Sequence, residues 1–205
     1  GTDTYTGYAR LNSVEFGRAG QEGYTSQYDP RFQLSFINAG TVSDIKPSKI
    51  TGCSFNNGFS PAIGVFATKQ LTLENNVIYH TVGAGIVTVS DQVTLSNNLI
   101  TMIVWPGAYN GRRESGNYFW EGGIDIVSSN GITMKNNVVA GSERAGYRIY
   151  NRPCPISSTN TDPWEGNVAH SVLTGVAIFS DEATFGQCLY VHGFSVHKAA
   201  DYGFY

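Results

Sequence analysis

The chain has 205 residues, a formal net charge of −3 with only 14% charged residues, 24 glycines and 13% aromatic residues. That length suits one domain with a sizeable core, sparse acidic charge speaks against a nucleic-acid partner, and no segment reads as a signal peptide or membrane span. Abundant Gly, Asn, Ser and Thr beside Tyr, Phe and Trp is the mixture of an extracellular β-protein with frequent tight corners.

A phrase recurs along the chain at 21 to 22 residues where it is most compact, opening Ile50-Thr51-Gly52, Leu71-Thr72-Leu73, Val93-Thr94-Leu95 and, after an insertion, Ile132-Thr133-Met134. Such a period with strand-sized apolar pieces signals a β-solenoid. In chain order, Arg10-Leu11-Asn12 to Gly20 resembles a first coil, extended by Gln21 to Arg31 before the strand Phe32-Gln33-Leu34-Ser35-Phe36. Residues 50–70 and 71–92 are minimal coils. A fourth coil from 93 carries the insertion Trp105 to Gly122 before Gly123-Ile124-Asp125-Ile126-Val127, and a fifth starts at 132. Asn167 to Phe179 reads as a sixth coil and Leu189 to Tyr205 as a seventh. The expectation is an all-β fold: a right-handed, single-stranded parallel β-helix of about seven coils with loop insertions, one domain over 1–205. The chain starts at Gly1 rather than Met and stops inside a coil, so a segment of a larger extracellular protein is expected.

Alternation points Leu71, Leu73, Val93, Leu95, Ile132 and Met134 inward and Thr72, Thr94 and Thr133 outward. Asn pairs sit four residues into three phrases (Asn75-Asn76, Asn97-Asn98, Asn136-Asn137). Stacking of Asn75 over Asn97 as an inward ladder would satisfy backbone groups at a bend. A glycine fourteen residues in, at Gly64, Gly85 and Gly146, leads into the next apolar run.

Insertions in solenoids map to loops, often on a binding face. The two insertions leave corresponding corners, and three strand spacings of about 4.8 Å put them roughly 14 Å apart, room for an oligosaccharide or a peptide. Between them they carry Tyr24, Tyr28, Arg31, Trp105, Tyr109, Arg112, Arg113 and Trp120 as candidate glycan-binding residues. Aromatic faces stack on sugar rings and Arg forks bind carboxylate or sulfate, so an acidic glycan is the best-matched partner; the competing reading folds the aromatics back over the cylinder. Glu15, Glu22, Asp29, Glu114, Glu121 and Asp125 are the acids near these loops, and a pair about 5 or 9 Å apart would suit glycoside hydrolysis. Arg148 either faces out or pairs with Asp125 one coil earlier. His80 and His170 fall at nearly the same corner, with His192 in the next coil and His197 beyond it, but no tight ligand spacing occurs, so neither a metal nor a cofactor is expected. Cys53 reads as a buried thiol, while Cys154 and Cys188 occupy loop-like places beside Pro153, Pro155 and Gly186.

Several phrases carry a resemblance: Val14-Glu15-Phe16, Gly20-Gln21-Glu22-Gly23, Asp29-Pro30-Arg31-Phe32, Gly58-Phe59-Ser60-Pro61-Ala62-Ile63-Gly64-Val65, Val104-Trp105-Pro106-Gly107 and Arg144-Ala145-Gly146-Tyr147-Arg148-Ile149. They resemble the extracellular β-helix region of the fibrocystin and fibrocystin-like family, which is related to the cell-surface hyaluronidases. The resemblance implies a parallel β-helix in a large secreted or membrane-anchored ectodomain at a cell surface, often ciliary. It also implies oxidising surroundings in which a Cys154–Cys188 disulfide is expected. The enzyme branch carries Arg-Tyr-Pro-x-His-Phe-His where this chain has Arg31-Phe32-Gln33-Leu34-Ser35-Phe36-Ile37, so both histidine positions are lost, to Ser35 and Ile37. Neither replacement can shuttle a proton near neutral pH. The leading expectation is a non-catalytic extracellular segment serving adhesion, glycan contact or coat assembly, with acidic glycans or other extracellular proteins as partners. The alternatives are a polysaccharide hydrolase or lyase using the loop cleft with Asp125 and Arg144 or Arg148, and a fibrous assembly through open coil ends.

Overall fold

A computed structural model describes residues 7–24, 28–42, 44–106, 121–128, 131–150, 152–153, 164–179, 188–189 and 191–205. The described strands wind into a parallel β-helix with three faces. The first face stacks Arg10–Asn12, Lys49–Thr51, Thr72–Glu74, Thr94–Ser96, Thr133–Lys135 and Trp164–Glu165, each paired in parallel with its neighbours. The second stacks Glu15–Gly17, Ser54–Gly58, Val77–Val82, Leu99–Val104 and Val138–Ser142. The third stacks Leu34–Thr41, Ile63–Lys69, Ile86–Val89, Gly122–Ser128 and Ala145–Tyr150. The long strands Asn167–Phe179 and Phe194–Phe204 continue both the second and third faces, which makes seven coils.

Inward side chains pile in columns. Ile50, Leu73, Leu95, Met134 and Trp164 form one column, Phe55, Ile78, Ile100, Val139 and Ala169 another, and Ile63, Ile86, Ile124, Tyr147 and Val176 a third; all are buried. Thr72, Thr94 and Thr133 pair in register on the outside, half-buried, as alternation requires.

Two details of the expected frame shift. Ile50 pairs with Leu73 rather than Leu71, because Lys49 is level with Thr72. The Asn ladder is built from the second member of each pair. Asn75, Asn97 and Asn136 take φ of 56°, 52° and 53°, turning the corner between first and second faces in the left-handed region that Asn tolerates. That turn sends Asn76, Asn98, Asn137 and Asn167 inward, each at most 1% exposed. Each ladder amide donates to the carbonyl of the first-face strand one coil back: Ile50 (3.1 Å), Leu73 (3.0 Å), Leu95 (2.9 Å) and Met134 (2.8 Å). Each ladder carbonyl accepts the backbone N–H one coil back, from Cys53, Asn76, Asn98 and Asn137 at 3.0–3.2 Å. Cys53 thus occupies the ladder position of its coil, and its thiol is buried and free.

The glycine column is also re-registered. Gly85, Gly123, Gly146, Gly175 and Gly203 stack where the chain enters the third face, and Gly64 lies outside that column, level with Val87. A Cβ on Gly146 would sit 2.7 Å from both the Ala169 methyl and the Gly175 carbonyl oxygen, so the close approach of successive coils there requires glycine.

Candidate functional site

The outward positions of the third face run Ser35, Gly64, Val87, Asp125, Arg148 and Ala177 in register. The insertion of the first coil lies over them. Tyr24, Phe32, Phe66, Val82, Ala84 and Val87 form a second apolar cluster outside the cylinder, with Phe32 edge-on to both Tyr24 and Phe66 at 5.7 Å. Gly64 permits this: a Cβ there would clash with the rings of Phe66 and Phe32. Alternation alone would leave this face exposed; the aromatic residues of the insertion cover it.

At the edge of this cover lies a buried charged cluster. Glu121, Asp125 and Arg148 are 3%, 0% and 4% exposed, and Tyr24 is 6% exposed. Arg148 Nη2 donates to Asp125 Oδ2 at 2.6 Å, the Gly122 N–H donates to Asp125 Oδ1 at 3.0 Å, and the Tyr24 hydroxyl donates to Glu121 Oε2 at 3.4 Å. Strand register explains the ion pair, because Asp125 and Arg148 are directly paired on adjacent coils and both point outward. Burial pushes the Glu121 carboxyl up to about 8, reinforced by the nearby Asp125 charge, so Glu121 is a neutral acid at pH 7. Burial also raises Asp125, to about 6, against the attraction of Arg148 and the Gly122 hydrogen bond, and it remains a carboxylate at neutral pH. Burial works against the Arg148 charge, but Asp125 and Glu121 outweigh it and hold its pKa above the ordinary value.

A protonated carboxyl beside an ionised one is the pair of charge states that glycoside hydrolysis uses. Here Asp125 is committed to Arg148 and Gly122, and both acids are shielded from solvent. The cluster therefore serves as a fastening: it ties the first-coil insertion, through Tyr24, to the fourth coil.

The candidate glycan residues divide accordingly. Tyr24 is buried and turns its hydroxyl to Glu121, so it covers the cylinder instead of presenting a stacking face. Tyr28 stays 45% exposed with its ring 5.2 Å from that of Phe66. Arg31 forks onto Asp29, with Nε at 2.9 Å from Oδ1 and Nη2 at 2.5 Å from Oδ2, and its side chain is 35% exposed. Trp105 is half-buried under the Arg144 guanidinium, 3.8 Å from the ring centroid, and its backbone N–H donates to Glu143 Oε2 at 2.7 Å. Tyr109, Arg112, Arg113, Glu114 and Trp120 lie outside the described residues. So does Cys154, while the backbone of Cys188 pairs with Arg152, two residues before Cys154 in the chain.

Ser35 and Ile37, at the histidine positions of the enzyme branch, are both engaged. Ser35 Oγ donates to the Asp29 carbonyl at 3.0 Å, and Ile37 packs on the outer apolar cluster. His80 and His170 do fall at nearly the same corner, one position apart: His170 is level with Tyr79, His80 turns the corner at φ 52°, and it is His197 of the next coil, not His192, that lies level with His170. No group of three or more His, Cys, Asp or Glu side chains able to hold a metal ion occurs among the described residues. The union of Tyr24 with Glu121, 97 residues apart, had no sequence signal beyond both lying near insertions at corresponding corners.

Comparison with known proteins agrees with this architecture. The family model described as CEMIP beta-helix matches residues 3–108. The chain is 40% identical to Fibrocystin-L of Mus musculus over 202 residues, covering 98% of this chain and 5% of that protein, with the same values for Fibrocystin-L of Homo sapiens. It is 30% identical to Fibrocystin of Canis lupus familiaris over 199 residues, 97% of this chain and 4% of that protein. The chain thus spans about 5% of the length of the curated relatives it matches.

Proposed function

The chain belongs to the CEMIP beta-helix family as a fibrocystin-like member, and from that premise we propose that it is a non-catalytic β-helix segment of a larger extracellular or cell-surface protein, serving glycan contact and coat assembly. The observation that carries this reading is the state of the two histidine positions. Ser35 is tied to the Asp29 carbonyl and Ile37 is packed in the outer apolar cluster, so this strand offers no proton shuttle. The buried Glu121–Asp125–Arg148 cluster supports the same conclusion, since a polymer does not reach carboxyl groups that are at most 3% exposed.

Contact with an acidic glycan falls to the outer residues of the two insertions: Tyr28, Arg31, Trp105, Tyr109, Arg112, Arg113 and Trp120. Their aromatic rings supply stacking area and their guanidinium forks supply anion recognition. Binding is weak and salt-sensitive, because exposed charges are screened over a Debye length of about 8 Å in physiological salt. Titration of sulfated and carboxylated oligosaccharides against the native chain and an Arg112→Ala, Trp120→Ala double variant tests this. Loss of binding in the double variant is expected; equal binding by both proteins, or none by either, reduces the insertions to structural cover. An extracellular setting also favours a Cys154–Cys188 disulfide.

A further inference from the structure

Outward residues on the second face stack directly over one another, because parallel coils keep a constant register. One such column runs Tyr79, Thr101, Ala140, His170 and His197. Its last two members are imidazoles on adjacent strands, with ring centroids 5.1 Å apart and planes within 9° of parallel. His170 is half-buried and His197 is exposed. Ser171 Oγ lies 3.2 Å from His170 Nδ1, so Nε2 is the nitrogen outside that contact. The stack places two outward imidazoles side by side with no carboxylate bonded to either among the described residues.

We propose that His170 and His197 form a two-histidine site for a divalent transition-metal ion of the zinc, copper or nickel type, which staples the seventh coil to the sixth. Neutral imidazole is the preferred side-chain ligand for these ions. Zinc binds imidazole nitrogen at about 2.1 Å, so two such ligands at a tetrahedral angle stand about 3.4 Å apart. The 5.1 Å separates ring centroids and the rings lie nearly parallel, so chelation requires both imidazoles to turn until their in-plane nitrogen lone pairs converge on one ion. Rotation about χ1 and χ2 of the exposed His197 and the half-buried, outward-facing His170 supplies that without moving the strands. Water completes the coordination, since the flanking outward residues Val168, Ser195 and Lys198 bring no carboxylate or thiolate. The ion adds a bond between Asn167–Phe179 and Phe194–Phe204, strands otherwise joined by backbone pairing and by inward packing.

The test is a zinc chloride titration of the chain followed by NMR of the histidine ring C–H signals. Signals of His170 and His197 are expected to move together and saturate at one ion per chain, while those of His80 and His192 stay in place. Amide exchange in Phe194–Phe204 is expected to slow with zinc. His170→Gln and His197→Gln are expected each to abolish saturable binding, and both substitutions are at solvent-facing positions that the fold tolerates. Ring signals unmoved by zinc, binding that survives in the double variant, or one ion shared by two chains would each overturn the proposal.

Discussion

Replacing Asn98 by Ala tests the ladder that sets the coil register. The carboxamide of Asn98 accepts the backbone N–H of Asn76 at 3.1 Å and the Asn76 side-chain amide at 3.0 Å. It donates to the Leu73 carbonyl at 3.0 Å and to Asn137 Oδ1 at 2.9 Å. Truncation removes a buried acceptor from the Asn76 N–H and a buried donor from the Leu73 carbonyl. Asn76 Nδ2 and Asn137 Oδ1 keep their remaining partners, Ile50 O and Asn98 N. At about 1–3 kcal/mol for each of the two stranded buried groups, the expected loss is about 2–6 kcal/mol. The neighbour gives the control. Asn97 holds φ 52° outside the core, so Asn97→Gly should be nearly neutral and Asn97→Ala should cost about 1–2 kcal/mol of left-handed strain. Urea unfolding followed by circular dichroism measures the totals. Amide exchange locates them, because a solenoid loses stability coil by coil. The reasoning is refuted if Asn97→Ala is the more damaging change, or if Asn98→Ala leaves stability within about 1 kcal/mol of the parent.

Further outcomes follow from the same geometry. Gly146→Ala should destabilise by about 3 kcal/mol or more, since its methyl meets the Gly175 carbonyl and the Ala169 methyl at 2.7 Å, and a thermal melt with an unchanged midpoint would contradict the glycine column. Glu121 keeps a proton in the folded state up to about pH 8 that it loses from its ordinary value of 4.5 when unfolded, so its contribution to stability is complete below pH 4.5 and is lost as pH rises to 8. Glu121→Gln should therefore flatten the fall in unfolding free energy across that window, and an unchanged slope in denaturant titrations at several pH values would count against a buried neutral acid. Non-reducing peptide mapping should recover a Cys154–Cys188 peptide; free thiols at both positions would refute the bridge.

The sequence already displayed the periodic parts of this molecule. The phrase at Leu71, Val93 and Ile132 read the first face correctly because inward apolar residues and outward Thr alternate there without interruption. The pairing of Asp125 with Arg148 was one of two readings open from the strand alternation, and the register chose it. The Asn pairs were visible but their roles were not, since which of two adjacent Asn turns inward depends on the φ of the first. Ile50 was misaligned by two residues because the apolar-Thr phrase also matches Leu71, and only the ladder position of Cys53 breaks the tie. The burial of Tyr24 against Glu121 is a tertiary event between distant insertions, and no local periodicity encodes it. The stacked histidines follow from coil register, which insertions of unequal length hide in the linear sequence.

We propose that this β-helix contacts glycans without cleaving them. Prolonged incubation with high-molecular-weight hyaluronan and with polyuronates, read by size-exclusion chromatography with light scattering, tests it most directly. The account predicts elution profiles unchanged from a protein-free control across pH 4 to 8. Progressive shortening of either polymer that disappears in Asp125→Asn would contradict it and make the buried Glu121–Asp125–Arg148 cluster an active site.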